Sequence, residues 1–159
     1  MAEKITKQET EYTEDDFYTA ALSARTGGLM ELVSRISPNL KAEEMLGTNG
    51  FPFIRIGFQN DEINMAYYPV GSPDDGRFIL FIKCTVLIPD EADPTLAVDC
   101  ESFNFGSSFG YAVYDPTDGS VELRAQVPET GGILDSEYYE NILDLFLYSI
   151  DDLRETIAG

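Results

Sequence analysis

The chain has 159 residues, 29 acidic against 10 basic side chains, no histidine and no tryptophan, and a formal net charge of −19. A field of that sign repels phosphate backbones and anionic lipid surfaces, so it disfavours nucleic-acid and membrane partners and attracts a basic protein surface. Hydrophobic content of 43% and aromatic content of 12% fit one globular domain, able to bury about 70% of its unfolded surface and rich in sheet, because Phe and Tyr suit a half-buried pleated surface.

Residues 1–12 are polar and carry no apolar signal-peptide core, and no stretch reaches the roughly 18 apolar residues of a membrane span. A cytoplasmic protein is expected. Thr13 and Asp16 resemble a helix cap, followed by Phe17, Ala20, Ala21 and Ala24 on one face. Gly27-Gly28 predicts an interruption. Leu29, Leu32, Val33 and Ile36 then predict a helical segment ending before Pro38. Ser37-Pro38 predicts a further short helical turn through Met45, closed by Gly47 and Gly50. The expected organisation is a polar, partly helical N-terminal segment over residues 1–24 and a single domain over 25–159.

Sheet signals follow. Phe51–Phe58 is aromatic and β-branched, and a turn at 59–62 leads into Glu62–Val70, where Ile63, Met65 and Tyr67 alternate with Asn64, Ala66 and Tyr68. Ser72-Pro73-Asp74-Asp75-Gly76 has turn chemistry. Arg77–Ile88 is the most apolar run. Both its faces read as apolar, which predicts a central strand covered on both sides, with Lys83 directed to an edge or a partner. Cys84 lies in this run and reads as a small buried hydrophobe.

Asp93 or Thr95 caps a predicted short helix through Leu96, Cys100 and Phe103, closed by Asn104 and Gly106. A hairpin around Asp115–Gly119 comes next. Its dry face is expected to hold Phe109, Tyr111 and Val113 with Val121, Leu123, Ala125 and Val127; its wet face, Tyr114, Glu122, Arg124 and Gln126. Gly131-Gly132 turns the chain into a last helix, capped by Asp135 or Ser136 with Glu137 in its first turn. Tyr139, Ile142, Leu143, Phe146, Ile150, Leu153 and Ile157 form its apolar stripe. Tyr138, Leu145 and Leu147 widen that arc beyond the roughly 100° a single contact needs. The N-terminal helix or a second copy of the chain is expected to cover the excess. Glu140, Asp144, Asp151 and Glu155 make an acidic ridge behind it, containing two like-charged i, i+4 pairs.

The order helix–three strands–helix–two strands–helix predicts an α+β fold, an antiparallel sheet packed with helices. With Phe103-Asn104, the hairpin GYAVYDPTDGSVELRAQVP, Gly131-Gly132-Ile133 and the helix carrying Tyr139, Leu143 and Phe146, the chain resembles the YbjN family and its type III secretion chaperone-like fold over about residues 25–157. The resemblance implies a cytoplasmic, non-enzymatic protein that binds other proteins, often as a dimer, in chaperone or regulatory roles. It supplies no catalytic residues.

Catalytic chemistry is hard to assemble from what remains. Without histidine there is no Ser-His or Cys-His pair, and with two cysteines, Cys84 and Cys100, no zinc site is expected. Asp115, Asp118 and Glu122 miss the calcium-loop spacing, and neither Gly-Gly pair sits in a phosphate-binding motif. No cofactor is expected. The leading reading is a protein-binding module, chaperone-like or regulatory, with a homodimer expected. Its partner surface is placed on Tyr138, Glu140, Asp144, Leu145, Tyr148 and Asp151 of the last helix and on Tyr114 and Arg124 of the hairpin. The alternative is an acidic inhibitor or immunity-type protein that binds a basic enzyme.

Overall fold

The computed structural model describes residues 14–36, 40–71, 77–130 and 135–158. Helix α1 spans Glu14–Ile36, α2 Thr95–Gly106 and α3 Ser136–Ala158. Strands are β1 Lys41–Leu46, β2 Pro52–Phe58, β3 Asp61–Pro69, β4 Arg77–Leu87, β5 Tyr111–Tyr114 and β6 Val121–Thr130. They form one sheet in the order β1-β2-β3-β4-β6-β5 with every neighbour antiparallel. The architecture is the expected α+β.

Alternation places the core on one face of this sheet. Ile54, Ile56, Ile63, Met65, Leu80, Ile82, Val121 and Leu123 are buried there. α1 lies over β1–β3, α3 over β4 and β6, and α2 against β5. Leu22, Leu29, Leu32 and Val33 contribute from α1, and Tyr139, Phe146, Ile150 and Leu153 from α3. A side chain such as Phe146, with no exposed surface, contributes about 1.5–3 kcal/mol by leaving water.

The helix stripe expected on α3 is buried as read, with Ile157 half-buried at its end. Asp135 is the cap: its Oδ1 accepts from the Glu137 amide at 3.0 Å and its carbonyl from the Tyr139 amide at 3.1 Å. Leu96, Cys100 and Phe103 are the buried side of α2. Asp93 prepares the start of that helix, accepting from the Thr95 amide at 3.0 Å and the Thr95 hydroxyl at 2.7 Å. These two bonds hold its carboxyl below the usual range.

Four expectations are corrected. The Gly27-Gly28 pair does not interrupt the first helix, which runs unbroken from Glu14 to Ile36. Leu22 and Leu29 on either side of the pair are both buried in the core, and that packing outweighs the ~1 kcal/mol a helical glycine costs. Residues 41–46 form an edge strand, not a helical turn, because Ala42, Glu44 and Leu46 find register against Ile56, Ile54 and Pro52; pairing overrides their helix propensity. β4 is central but not covered on both sides: among the described residues the helices pack on one face, leaving Ile79 and Phe81 half-buried and Lys83 exposed on the other. Finally, the faces of β5 are inverted. Ala112 and Tyr114 pair with Leu123 and Val121 on the core side, and Tyr111 and Val113 pair with Arg124 and Glu122 on the open side.

Asn104, at the end of α2, bonds twice to the outer edge of β5. Its Nδ2 donates to the Ala112 carbonyl at 2.9 Å, and its Oδ1 accepts from the Ala112 amide at 2.6 Å. The expected cap at Thr13, the side chains of Asp16 and Phe17, and the turns at Ser37-Pro38, Ser72–Gly76 and Gly131-Gly132 lie outside the described residues.

Candidate functional site

One buried polar network ties four elements together. Arg25 of α1 pairs with Glu129 of β6, and Tyr139 of α3 donates its hydroxyl to the other oxygen of Glu129. Tyr67 of β3 meets the Tyr139 hydroxyl at 2.8 Å. The Arg25 guanidinium lies over the rings of Phe78 and Tyr67, 5.0 and 5.6 Å from their centroids. Burial, reinforced by the Glu129 charge, pushes the Tyr67 hydroxyl far above its ordinary range. Both tyrosines are fully covered, so this cluster serves to position α1 and α3 on the sheet.

The thiols are equally inert. Burial, then the charge of Asp61, raises Cys84 to about 11, and burial followed by Asp99 raises Cys100. A nucleophilic cysteine needs the opposite shift. Among the described residues no group of three or more acidic or cysteine side chains is arranged to hold a metal, and no helix is long and apolar enough to cross a membrane.

Apart from single exposed side chains such as Phe105, Ile88 and Val98, apolar groups stand together with charged ones on two surfaces. The first is on α3. Tyr138, Leu145 and Tyr148 are 44%, 46% and 70% exposed, and their spacing of seven and three residues keeps them near one side of the helix. Glu140, Asp144 and Asp151 are exposed beside them, as is Glu155. Tyr114 does not join this surface or Arg124: it packs half-buried against the core, while Arg124 projects from the opposite face and pairs with Glu122 at 2.7 Å. The residues expected to form one partner surface therefore occupy two sides of the sheet.

The second place is the uncovered face of the sheet. Cross-strand register lines up Glu43, Arg55, Asn64, Lys83, Arg124 and Tyr111 in one row across all six strands. Beside that row lies a depression of about 450 Å³ whose walls include Met45, Phe53, Ala66, Tyr68 and Phe81. Tyr68 and Phe81 meet edge to face, with centroids 6.2 Å apart. A neighbouring depression of about 440 Å³, lined by Lys41, Glu43, Gly57 and Glu62, shares Arg55 with it. Sequence reading pointed to an exposed sheet face and to Arg124 and Lys83 on it, and missed the row and the hollows beside it. Its signal was the period-two set Phe53, Arg55 and Gly57, and the position of Lys83 in an apolar run.

The fold matches that of a solved structure, the crystal structure of the ExsC–ExsE complex, with a TM-score of 0.51 and 17% identity over 84% of this chain and 93% of that chain. The likeness is one of fold, an α+β architecture shared along most of both chains. No family model and no curated protein matches the sequence.

Proposed function

We propose that the protein is a non-enzymatic protein-binding module of the chaperone-like or regulatory kind, acting in the cytoplasm and related to the YbjN family. One observation carries this reading: Tyr138, Leu145 and Tyr148 stand exposed on α3, with the acidic residues Glu140, Asp144 and Asp151 around them. Exposed tyrosines with an apolar neighbour and a charged rim are the composition of protein interfaces. The fold agrees with it, since its solved neighbour is a complex of two proteins. The link to the YbjN family rests on the hairpin and on Asn104, whose side chain serves the hairpin edge. A homodimer through α3 belongs to the same proposal.

Capture from source lysate by the immobilised chain tests the reading. A specific polypeptide is expected with the native protein and not with Leu145→Asp. Equal capture by both, or none by the native protein, rejects it.

The acidic ridge supports a second reading, an inhibitor of a basic enzyme. Glu140, Asp144, Asp151 and Glu155 are all exposed along α3. This reading requires fast association that slows steeply with salt. An association rate unchanged between low and high ionic strength excludes it.

A further inference from the structure

The distribution of charge is the least expected feature of the molecule. The chain carries −19 overall, yet the uncovered face of the sheet is basic. Strand alternation puts Lys41, Arg55, Arg77, Lys83 and Arg124, half of all Lys and Arg, at positions on this face, against Glu43, Glu62 and Glu122. The acidic excess therefore lies elsewhere.

Three residues at the centre of the row have unused capacity. Arg55 Nε is buried, stands 3.3 Å from Glu62 Oε1 and makes no aligned hydrogen bond. Asn64 Oδ1, directly across the strands, is buried and accepts none. Lys83 is exposed and, among the described residues, has no carboxylate in ion-pair range. A buried polar atom without a partner is costly, so a ligand that draws these two side chains outward and supplies an acceptor to Arg55 and a donor to Asn64 recovers that cost. The apolar depression lies immediately alongside, open to solvent and floored by Ala66 between Phe53 and Phe81.

We propose that the open face of the sheet binds an extended acidic segment of a partner protein, with carboxylates on Arg55, Lys83 and Arg124, a backbone amide on Asn64 and an apolar side chain in the depression beside Phe53 and Phe81. The proposal rests on the protein-binding reading above but uses the opposite side of the domain from α3. An extended chain alternates its side chains, so it presents acids and apolar groups at the spacing that a row beside a hollow requires. The fixed polar atoms at Arg55 and Asn64 set register, and the positive row sets the sign of the ligand. A basic segment is refused at this face even though the whole protein attracts it.

The test uses the full-length chain and a fluorescein-labelled peptide of alternating Glu and Phe, with the Ser–Phe peptide as comparison, read by fluorescence anisotropy at about 0.15 M salt, where screening over ~8 Å makes the local row outweigh the distant acids. The Glu–Phe peptide is expected to bind at least tenfold more tightly than Ser–Phe. Lys83→Glu is expected to remove at least tenfold of that affinity with the thermal midpoint unchanged, and Leu145→Asp to leave it unaltered. Lys83→Gln, expected to lose about threefold, carries the comparison if Lys83→Glu does not fold. Equal binding of the two peptides, or equal affinity in the Lys83 variants, overturns the proposal. A dimer that Lys83→Glu splits without any effect on peptide affinity overturns it too, because the face is then a contact between copies. If the peptide fails to bind while Leu145-dependent capture from lysate persists, the sheet-face assignment falls and the protein-binding reading stands.

Discussion

Tyr67 and Tyr139, 72 positions apart in the chain, share a hydrogen bond of 2.8 Å in the core. Its direction follows from the chemistry: the Tyr139 hydroxyl proton goes to Glu129, so Tyr67 donates to the Tyr139 oxygen. The chain of bonds continues through Glu129 to Arg25. Removing the Tyr139 hydroxyl takes one partner from Tyr67 and one donor from Glu129. Tyr139→Phe is expected to cost about 1–3 kcal/mol, read as a lower urea midpoint at unchanged slope. Tyr67→Phe combined with Tyr139→Phe should cost less than the sum of the two, since they share one bond.

Cys84 sets a stability limit on the alkaline side. Its folded thiol titrates at about 11 against an ordinary 9.0, so the folded state holds the proton more firmly than the unfolded chain does. The contribution is complete below pH 9 and is lost as pH rises through 9 to about 11, a fall on the order of 3 kcal/mol. Tyr67, raised by burial and Glu129, adds to the fall. Denaturation midpoints across that window should drop less steeply in Cys84→Val than in the native protein. The same shift predicts that iodoacetamide labels native Cys84 far more slowly than the unfolded chain at pH 8.

Asp135 holds the start of α3 through one side-chain and one backbone bond. Asp135→Ala removes the side-chain acceptor and should cost about 1 kcal/mol, or a thermal midpoint lower by about 2–4 °C at this chain length. Asp135→Asn should retain most of it. Equal stability of the Ala and Asp proteins would show that the helix start is held by packing alone.

Leu145 separates folding from association. It is 46% exposed, so Leu145→Asp should change unfolding free energy by less than about 0.5 kcal/mol while weakening any contact made through α3. Light scattering distinguishes the two effects: a native dimer that becomes a folded monomer in the variant places the self-contact on α3. A native monomer with an unfolded variant would mean instead that Leu145 belongs to the core.

Periodicity made the helices and the central strands readable from residues alone. Tyr139, Ile142, Leu143 and Phe146 repeat at a spacing only an amphipathic helix satisfies, and they are buried as that spacing requires. β1 was not readable, because Lys41-Ala42-Glu43-Glu44 has helix-forming composition and becomes a strand only through its register with β2. The faces of β5 escaped for a similar reason. Tyr111, Ala112, Val113 and Tyr114 are apolar on both parities, and the choice between them is made by pairing with β6. The basic row depends on register across six strands, which no local pattern encodes. Arg25 and Glu129 are likewise separated by 104 positions.

The two bonds from Asn104 to Ala112 bear on how copies of this protein can associate. An amide side chain occupies the place at β5 where the backbone of an additional strand would dock, so one margin of the sheet is plugged. Among the described residues no strand lies outside β1 at the other margin. Growth by margin-to-margin joining needs two receptive margins per copy; with one, the joining ends after a single pairing. A side chain at the end of α2 thus occupies one margin of the sheet and leaves β1 as the margin at which a further strand can pair.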